Sequence, residues 1–490
     1  MNFRPDSAHD HISGDGPSRG GSGGLVLPIL AWMVVIAVII WRSGLMTPDQ
    51  QPSPDSKAQE SVLVDVILKM QGKLLLAMKA AESLQGNQAG SDAVEMNEQI
   101  REQLEALVTG PVSQRQQVAA LAGVLLGPDE VDEMLVRLDR DAAEAGVEIT
   151  PEAHHLSKIL RQAFDSTDGE LDSSERDLLR TDLGWSGELV IARTQPDQSE
   201  SWKQFQQSSV WLLGGMMFVM VAGVLLALAG LIGLIIGVVW SFKGYLNVLP
   251  ASKYSIRPGI EVFAIWLILF YLFSQLSGSL GGGLVGATLA FFASLLAILW
   301  YPLRGVPLRQ AMADIGYTRG RGWIREILAG CAGYAMMLPI LAIGLVGTIL
   351  LMQSGAAGEG AGFQSDAGAA HPIFSMLANS TIAGLVSIYL LAAVAAPVVE
   401  ETIFRGVLYR HLRDSSRSWA IWLSIGMSGL VSGVIFAAIH PQGWMAIPAL
   451  GAIGFALALA REWRNSLIAP MLMHALNNGL VITMAMLVLS

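Results

Sequence analysis

Three short stretches of this 490-residue chain carry side chains able to activate a water molecule. The first reads Ala395-Ala396-Pro397-Val398-Val399-Glu400-Glu401-Thr402-Ile403-Phe404-Arg405, with two adjacent carboxylates closing an apolar run. The second is Phe436-Ala437-Ala438-Ile439-His440, at the end of another apolar run. The third is His474-Ala475-Leu476-Asn477-Asn478, inside a third run. Carboxylates are costly in a membrane segment and mark a functional site by default. Glu, His, His and Asn on apolar helices supply a base for water and donors for the oxyanion of a tetrahedral intermediate. Each stretch alone has a plainer reading: hydrated interfacial glutamates, a helix-end histidine, or hydrogen bonds between membrane helices.

Helical spacing assigns the first roles. Residues four apart share a face, so Glu401 and Arg405 are predicted to pair along one side of their helix. Glu400 points about 100° away from its neighbour and is left free to act as a base. His474 and Asn478 share a face, while Asn477 is expected to turn away. The chain has no His-Glu-x-x-His and no Walker loop, and its Gly20-Gly21-Ser22-Gly23-Gly24 string lies in the Gly- and Ser-rich tail and is no nucleophile elbow, which excludes the common zinc-protease helix, the elbow and P-loop chemistry.

The order Glu-Glu-x-x-x-Arg, Phe-x-x-x-His, His-x-x-x-Asn resembles the CPBP intramembrane proteases, relatives of the type II CAAX prenyl endopeptidase and of bacteriocin-processing and immunity proteins. The resemblance covers roughly residues 260–490 and implies an endopeptidase acting on membrane-associated peptide or protein substrates. It implies that Glu400 is the catalytic glutamate and His440 the histidine that helps it activate water. His474 and Asn478 match the pair that binds the substrate carbonyl or oxyanion; Glu401, Arg405 and Phe436 match supporting positions. The family's chemistry is described both with and without a metal. Two His and one Glu could hold Zn2+, in which case Glu400, His440 and His474 would be the ligands.

The elements that must position these groups are helices. Hydrophobic residues make up 52% of the chain, the composition of a membrane protein. The expected fold is all-α, a polytopic helical membrane protein with an additional helical soluble domain. Residues 1–23 read as a disordered tail and 24–45 as a transmembrane anchor, its apolar run long enough to approach a bilayer's thickness. Residues 46–207 hold 29 acidic and 14 basic side chains and show three- and four-residue apolar spacing with Gly-Pro breaks, an acidic helical soluble domain. Residues 208–259 form a transmembrane linker region and 260–490 the protease domain. His154 and His155 diverge on their helix and read as surface residues. The single cysteine, Cys331, leaves no disulfide framework or thiolate metal site.

Candidate spans are 208–240, 260–276, 280–301, 326–352, 374–404, 419–440, 444–460 and 466–488, about nine crossings with the anchor. The stretches 241–258, 302–325, 405–417 and 461–465 read as basic loops on one side, and 353–372 carries acids and no Lys or Arg. That asymmetry places the basic side and the N-terminus in the cytoplasm of a bacterial-type plasma membrane and 46–207 outside it. Scattered basic residues give no nucleic-acid surface; the expected partners are the bilayer and a peptide or protein substrate. One tension follows from helical rise. His440 lies about 30 Å beyond a helix start near Arg417–Trp419, and meeting Glu400 requires a broken or strongly tilted helix around 421–440, or an interfacial first turn. Gly426, Gly429 and Gly433 would permit a bend.

The competing reading is a non-catalytic scaffold or immunity-type protein, in which the same polar cluster knits helices together and the acidic region recruits a partner.

Overall fold

A computed structural model describes residues 26–42, 68–80, 92–105, 107–108, 110–165, 170–244, 248–252, 257–354, 377 and 380–489. The fold is all-α: among the described residues there is no strand. The N-terminal tail and the acidic stretch 353–372 lie largely or wholly outside the described residues.

Helix α1 is Val26–Arg42, and α2 covers 68–80. Then come α3 Asp92–Glu105, α4 Val112–Leu125, α5 Pro128–Ala145, α6 Pro151–Ala163 and α7 Ser173–Thr194. Their ends follow local chemistry. Thr150 caps α6 by accepting from the Ala153 N–H, with Pro151 in the first turn. Asp172 and Glu175 form a reciprocal capping box at the start of α7, both bonds 2.9 Å. Gly146 closes α5 in the left-handed region, φ 66°. Helices α2–α7 gather round one core that includes Leu75, Leu104, Leu121, Leu160, Leu179 and Leu189.

Helix α8, Ser199–Phe242, is a single helix of 44 residues, about 66 Å long. Its first turns press Trp202 and Phe205 onto the core of α2–α7, and the rest is an apolar span. The expected span 208–240, long enough for one tilted helix or two short ones, is thus one continuous helix. The remaining membrane helices are α9 Arg257–Ser279, α10 Gly283–Leu303, α12 Trp323–Gln353, α13 Ile382–Ser415, α14 Ile421–Ala438, α15 Ile447–Arg464 and α16 Ile468–Leu489, with the short α11 Leu308–Ile315 between α10 and α12. Among the described residues, eight helices are long and apolar enough to cross a membrane, and Val26–Trp41 is a shorter apolar helix. This is a multi-pass membrane protein.

Two expectations need correction. The chain 405–415 is not a basic loop: α13 continues through it, and Arg405, Arg410 and Arg413 are buried. Arg461 and Arg464 are likewise buried at the end of α15. They serve an ionic network at one end of the bundle, which sequence spacing reads as loop charge. Glu462 accepts from Arg413, from the Tyr409 hydroxyl and from the Leu249 N–H. Arg464 makes two bonds to Glu326, 3.0 and 2.7 Å. Second, α14 needs no break. Ser416 Oγ meets Ser424 Oγ at 2.7 Å and Ser428 Oγ at 3.2 Å, so α14 starts below the end of α13. From the Ser416 level, about 21 Å of α14 rises to His440 and about 24 Å of α13 to Glu400. Gly433 serves a close helix crossing instead of a bend: a Cβ there would lie 2.7 Å from the Gly451 carbonyl oxygen of α15. Helix α1 also packs into the bundle. Its Ala31 and Val35 are buried in the core that also holds Phe263, Trp266 and Phe404.

The buried ammonium of Lys73 yields a pH dependence outside the membrane. Burial, reinforced by neighbouring Lys69, lowers Lys73 from its ordinary 10.5 to about 8. Between these values the unfolded chain binds a proton that the folded chain does not, so stability rises with pH across that window. Below it both states are charged and the cost of burying the charge is constant. Thermal unfolding is expected to show this rise, and Lys73→Met to reduce its slope and raise the midpoint at neutral pH.

Candidate active site

Glu400 and Glu401 sit on a short α-helical turn of α13, Ala396–Glu401, with π-helical turns on either side at Leu390–Ala395 and Thr402–Leu408. Such bulges insert a residue into the helix and re-aim the side chains around them. Pro397 stands between the first bulge and Glu400 and brings no N–H to the helix ladder.

The expected pair forms. Arg405 Nη1 donates to Glu401 Oε1 at 2.6 Å, with both side chains fully buried. Arg405 Nη2 also reaches the Gly454 carbonyl at 3.2 Å. This is possible because α14 and α15 cross at Gly433 and Gly454, where a Cβ on Gly454 would lie 2.7 Å from the Gly433 Cα. The guanidinium lies over the Phe436 ring, 4.6 Å from its centroid, a favourable placing for a desolvated cation.

Glu401 does a second job that helical spacing alone does not foretell. Its Oε1 also accepts from His474 Nδ1 at 2.8 Å. The opposite nitrogen, Nε2, then faces Glu400 Oε2 at 3.8 Å. One imidazole therefore spans the two adjacent carboxylates although their side chains diverge. His440 is held in the same manner: Nδ1 donates to the Phe436 carbonyl at 2.6 Å and Nε2 faces Glu400 Oε2 at 3.8 Å. A carbonyl only accepts, so the Nδ1 of His440 carries a proton. In their neutral forms both rings present an Nε2 lone pair to Glu400. Phe436 packs against this assembly, its ring centroid 4.2 Å from that of His440 and 6.0 Å from that of His474.

Exposure is graded. Glu401 and Arg405 are sealed at 0%, whereas the side chains of Glu400 and His440 are 13% and 18% exposed. Glu400 Oε2 is nevertheless a buried atom with no hydrogen-bond partner among the described residues. Both Nδ1-held imidazoles have the outer support that orients metal ligands as well as bases. Among the described residues, however, no group of three or more His, Cys, Asp or Glu side chains has the spacing to hold a metal ion.

Asn478 lies one turn beyond His474, but its Nδ2 donates to the Ala392 carbonyl at 2.8 Å. Asn477, expected to turn away, donates to Asn478 Oδ1 at 3.3 Å. Spacing also missed Tyr317, whose hydroxyl meets Thr402 Oγ1 at 2.7 Å from the segment after α11. Nothing in the linear pattern of that segment points to the site.

Removing one partner of a buried ion pair leaves an uncompensated charge, a loss of about 3–5 kcal/mol. Arg405→Met is expected to destabilise the protein on that scale in detergent unfolding. An effect below about 1 kcal/mol, the range of exposed pairs, would show that Glu401 does not depend on the guanidinium.

Residues 382–480 match the family model for the Rce1-like type II CAAX prenyl endopeptidases. The chain is 30% identical over 108 residues to an uncharacterized 24.3 kDa protein of Escherichia coli, covering 21% of this chain and 48% of that one. It is 30% identical over 95 residues to the membrane-embedded CAAX protease MroQ of Staphylococcus aureus (strain USA300), covering 19% of this chain and 38% of that one. The chain thus spans less than half the length of either relative. No solved structure matches it. The stretches 395–405, 436–440 and 474–478 all fall inside the matched region, and over residues 382–480 this chain carries an Rce1-like domain of the type II CAAX prenyl endopeptidase family.

Proposed function

We propose that this chain is an intramembrane endopeptidase that hydrolyses peptide bonds through a water activated by Glu400 and His440. The observation that carries the reading is the partnerless Oε2 of Glu400, with an imidazole Nε2 on each side at 3.8 Å. That separation is too long for a direct hydrogen bond and suits atoms that share a water at about 2.8 Å from each. What favours this reading over a scaffold is that both imidazoles turn Nε2 to the same carboxylate oxygen, an arrangement that helix packing alone does not require.

In the proposed step Glu400 takes a proton from the water while His440 Nε2 accepts from its second hydrogen and orients it. The water oxygen forms a bond to the substrate carbonyl carbon. His474, held through Nδ1 by Glu401, turns Nε2 to the developing oxyanion and donates to it from the doubly protonated ring. Glu400 then passes its proton to the amide nitrogen as the C–N bond breaks, releasing an amine and a carboxylic acid. This scheme routes no step through a metal.

The substrates in this reading are membrane-associated peptides or proteins, and the bilayer is the protein's medium. The exposed basic segments lie in the cytoplasm by the positive-inside rule, which puts helices α2–α7 on the opposite side. The matched relative from Staphylococcus aureus is named a CAAX protease, which makes a CAAX peptide the first substrate to try.

The test uses the full chain in liposomes with two internally quenched peptides, one ending in a prenylated CAAX sequence and one in an unmodified apolar segment. Glu400→Gln and His440→Ala are each expected to lower cleavage by at least roughly a hundredfold while leaving membrane insertion unchanged. Full cleavage by Glu400→Gln would leave only the scaffold role for this carboxylate. Metal content of the purified protein provides a separate check. Stoichiometric zinc that is lost on replacing His440 would replace the glutamate-only mechanism with a metal one.

A further inference from the structure

Pro397 creates a problem that Asn478 solves. In an α-helix the Ala392 carbonyl would accept from the N–H of residue 396. Here the Ala396 N–H goes to the Leu391 carbonyl, five residues back. In that π register the donor for Ala392 would be residue 397, which is proline and has none. Neither register therefore provides the Ala392 carbonyl with a partner from its own helix. An unpaired backbone carbonyl at membrane depth is costly and has to be met by a neighbouring helix. The neighbour is α16: Asn478 Nδ2 donates to Ala392 O at 2.8 Å. A carbonyl only accepts, so the Asn478 amide turns its nitrogen to Ala392, and its Oδ1 is left to accept from Asn477 Nδ2 at 3.3 Å.

This bond sits between two others that join the same pair of helices. Above it the Tyr389 and Thr483 hydroxyls meet at 2.7 Å, and below it His474 Nδ1 donates to Glu401 at 2.8 Å. The order 389, 392, 401 against 483, 478, 474 is that of two antiparallel helices held at three levels. Only the middle tie reaches a backbone atom, and it does so at the bulge directly preceding the turn of Glu400.

We propose that Asn478 is a positioning residue, which supplies the hydrogen bond Pro397 withholds from Ala392 and thereby fixes the turn carrying Glu400 against the helix carrying His474. The proposal rests on the hydrolytic reading of Glu400 above. It assigns the Asn478 amide to the enzyme's own backbone, not to the substrate carbonyl.

The two roles separate in a double-mutant cycle on the full chain. A substrate contact is lost equally whatever stands at 397. A helix-capping contact becomes dispensable once residue 397 has an N–H of its own. Asn478→Ala is expected to reduce cleavage roughly ten- to a hundredfold in the parent, the scale of a small misplacement of reacting groups, and to lower the thermal midpoint in detergent. In a Pro397→Ala background the same substitution is expected to cost less than about threefold in cleavage and to leave the midpoint nearly unmoved. Asn478→Asp, which keeps the shape and loses the donor when ionised, is expected to follow Asn478→Ala. Equal losses in both backgrounds, or midpoints that simply add, would overturn the proposal. The midpoint cycle needs no substrate, so it tests the Asn478–Pro397 link even if Glu400→Gln cleaves normally and the peptidase reading falls.

Discussion

The buried chain Arg405–Glu401–His474 is the constraint on which the rest of the site depends. A charge inside hydrocarbon must be paired and its remaining donors and acceptors met. Arg405 is paired with Glu401, while its other terminal nitrogen reaches the Gly454 carbonyl and its face lies over the Phe436 ring. Those three partners lie on α13, α15 and α14, and His474 adds α16 through Glu401. One guanidinium therefore ties together the helices that carry every candidate catalytic group. The same ties fix the tautomeric state in which each histidine turns to Glu400, because both imidazoles are held by Nδ1.

The helices are held at matching depths by polar contacts far from the site. Ser416 joins α13 to two turns of α14, and Glu462 gathers Arg413, Tyr409 and Leu249. These bonds set where each helix begins, and helical rise then decides which residues stand level. Glu400 and His440 meet because α14 starts below the end of α13. The ionic layer at one end of the bundle and the Glu400–His440–His474 cluster further in are thus two parts of one registration device.

Continuity between the acidic helical unit and the membrane bundle is supplied by one helix. Trp202 and Phe205 pack into the core of α2–α7, and further along α8 Gly230 lies directly against the backbone of Ala335 in α12. A side chain at Gly230 would collide with the Ala335 carbonyl, so close helix contact is built into that position. The acidic unit is attached to the membrane helices by a continuous α-helical rod.

Much of this was legible in the linear pattern. Apolar run lengths set the crossings, because hydrocarbon of fixed thickness needs a fixed number of residues. The i,i+4 rule found the Glu401–Arg405 pair, a contact local to one helix. Glu400, His440 and His474 stood out because ionisable groups are rare in such runs. What required the tertiary structure was everything that depends on how helices are set beside one another. Sequence spacing cannot show that Arg405, Arg410, Arg413, Arg461 and Arg464 are buried, because a basic residue paired across helices looks the same in the chain as one in a loop. Nor can it show that α14 begins below α13, that π turns flank Glu400, or that Asn478 spends its amide on Ala392. Local propensity and periodicity were determined by the sequence itself; depth, register and the direction of each polar group were decided by hydrogen bonds between residues up to hundreds of positions apart.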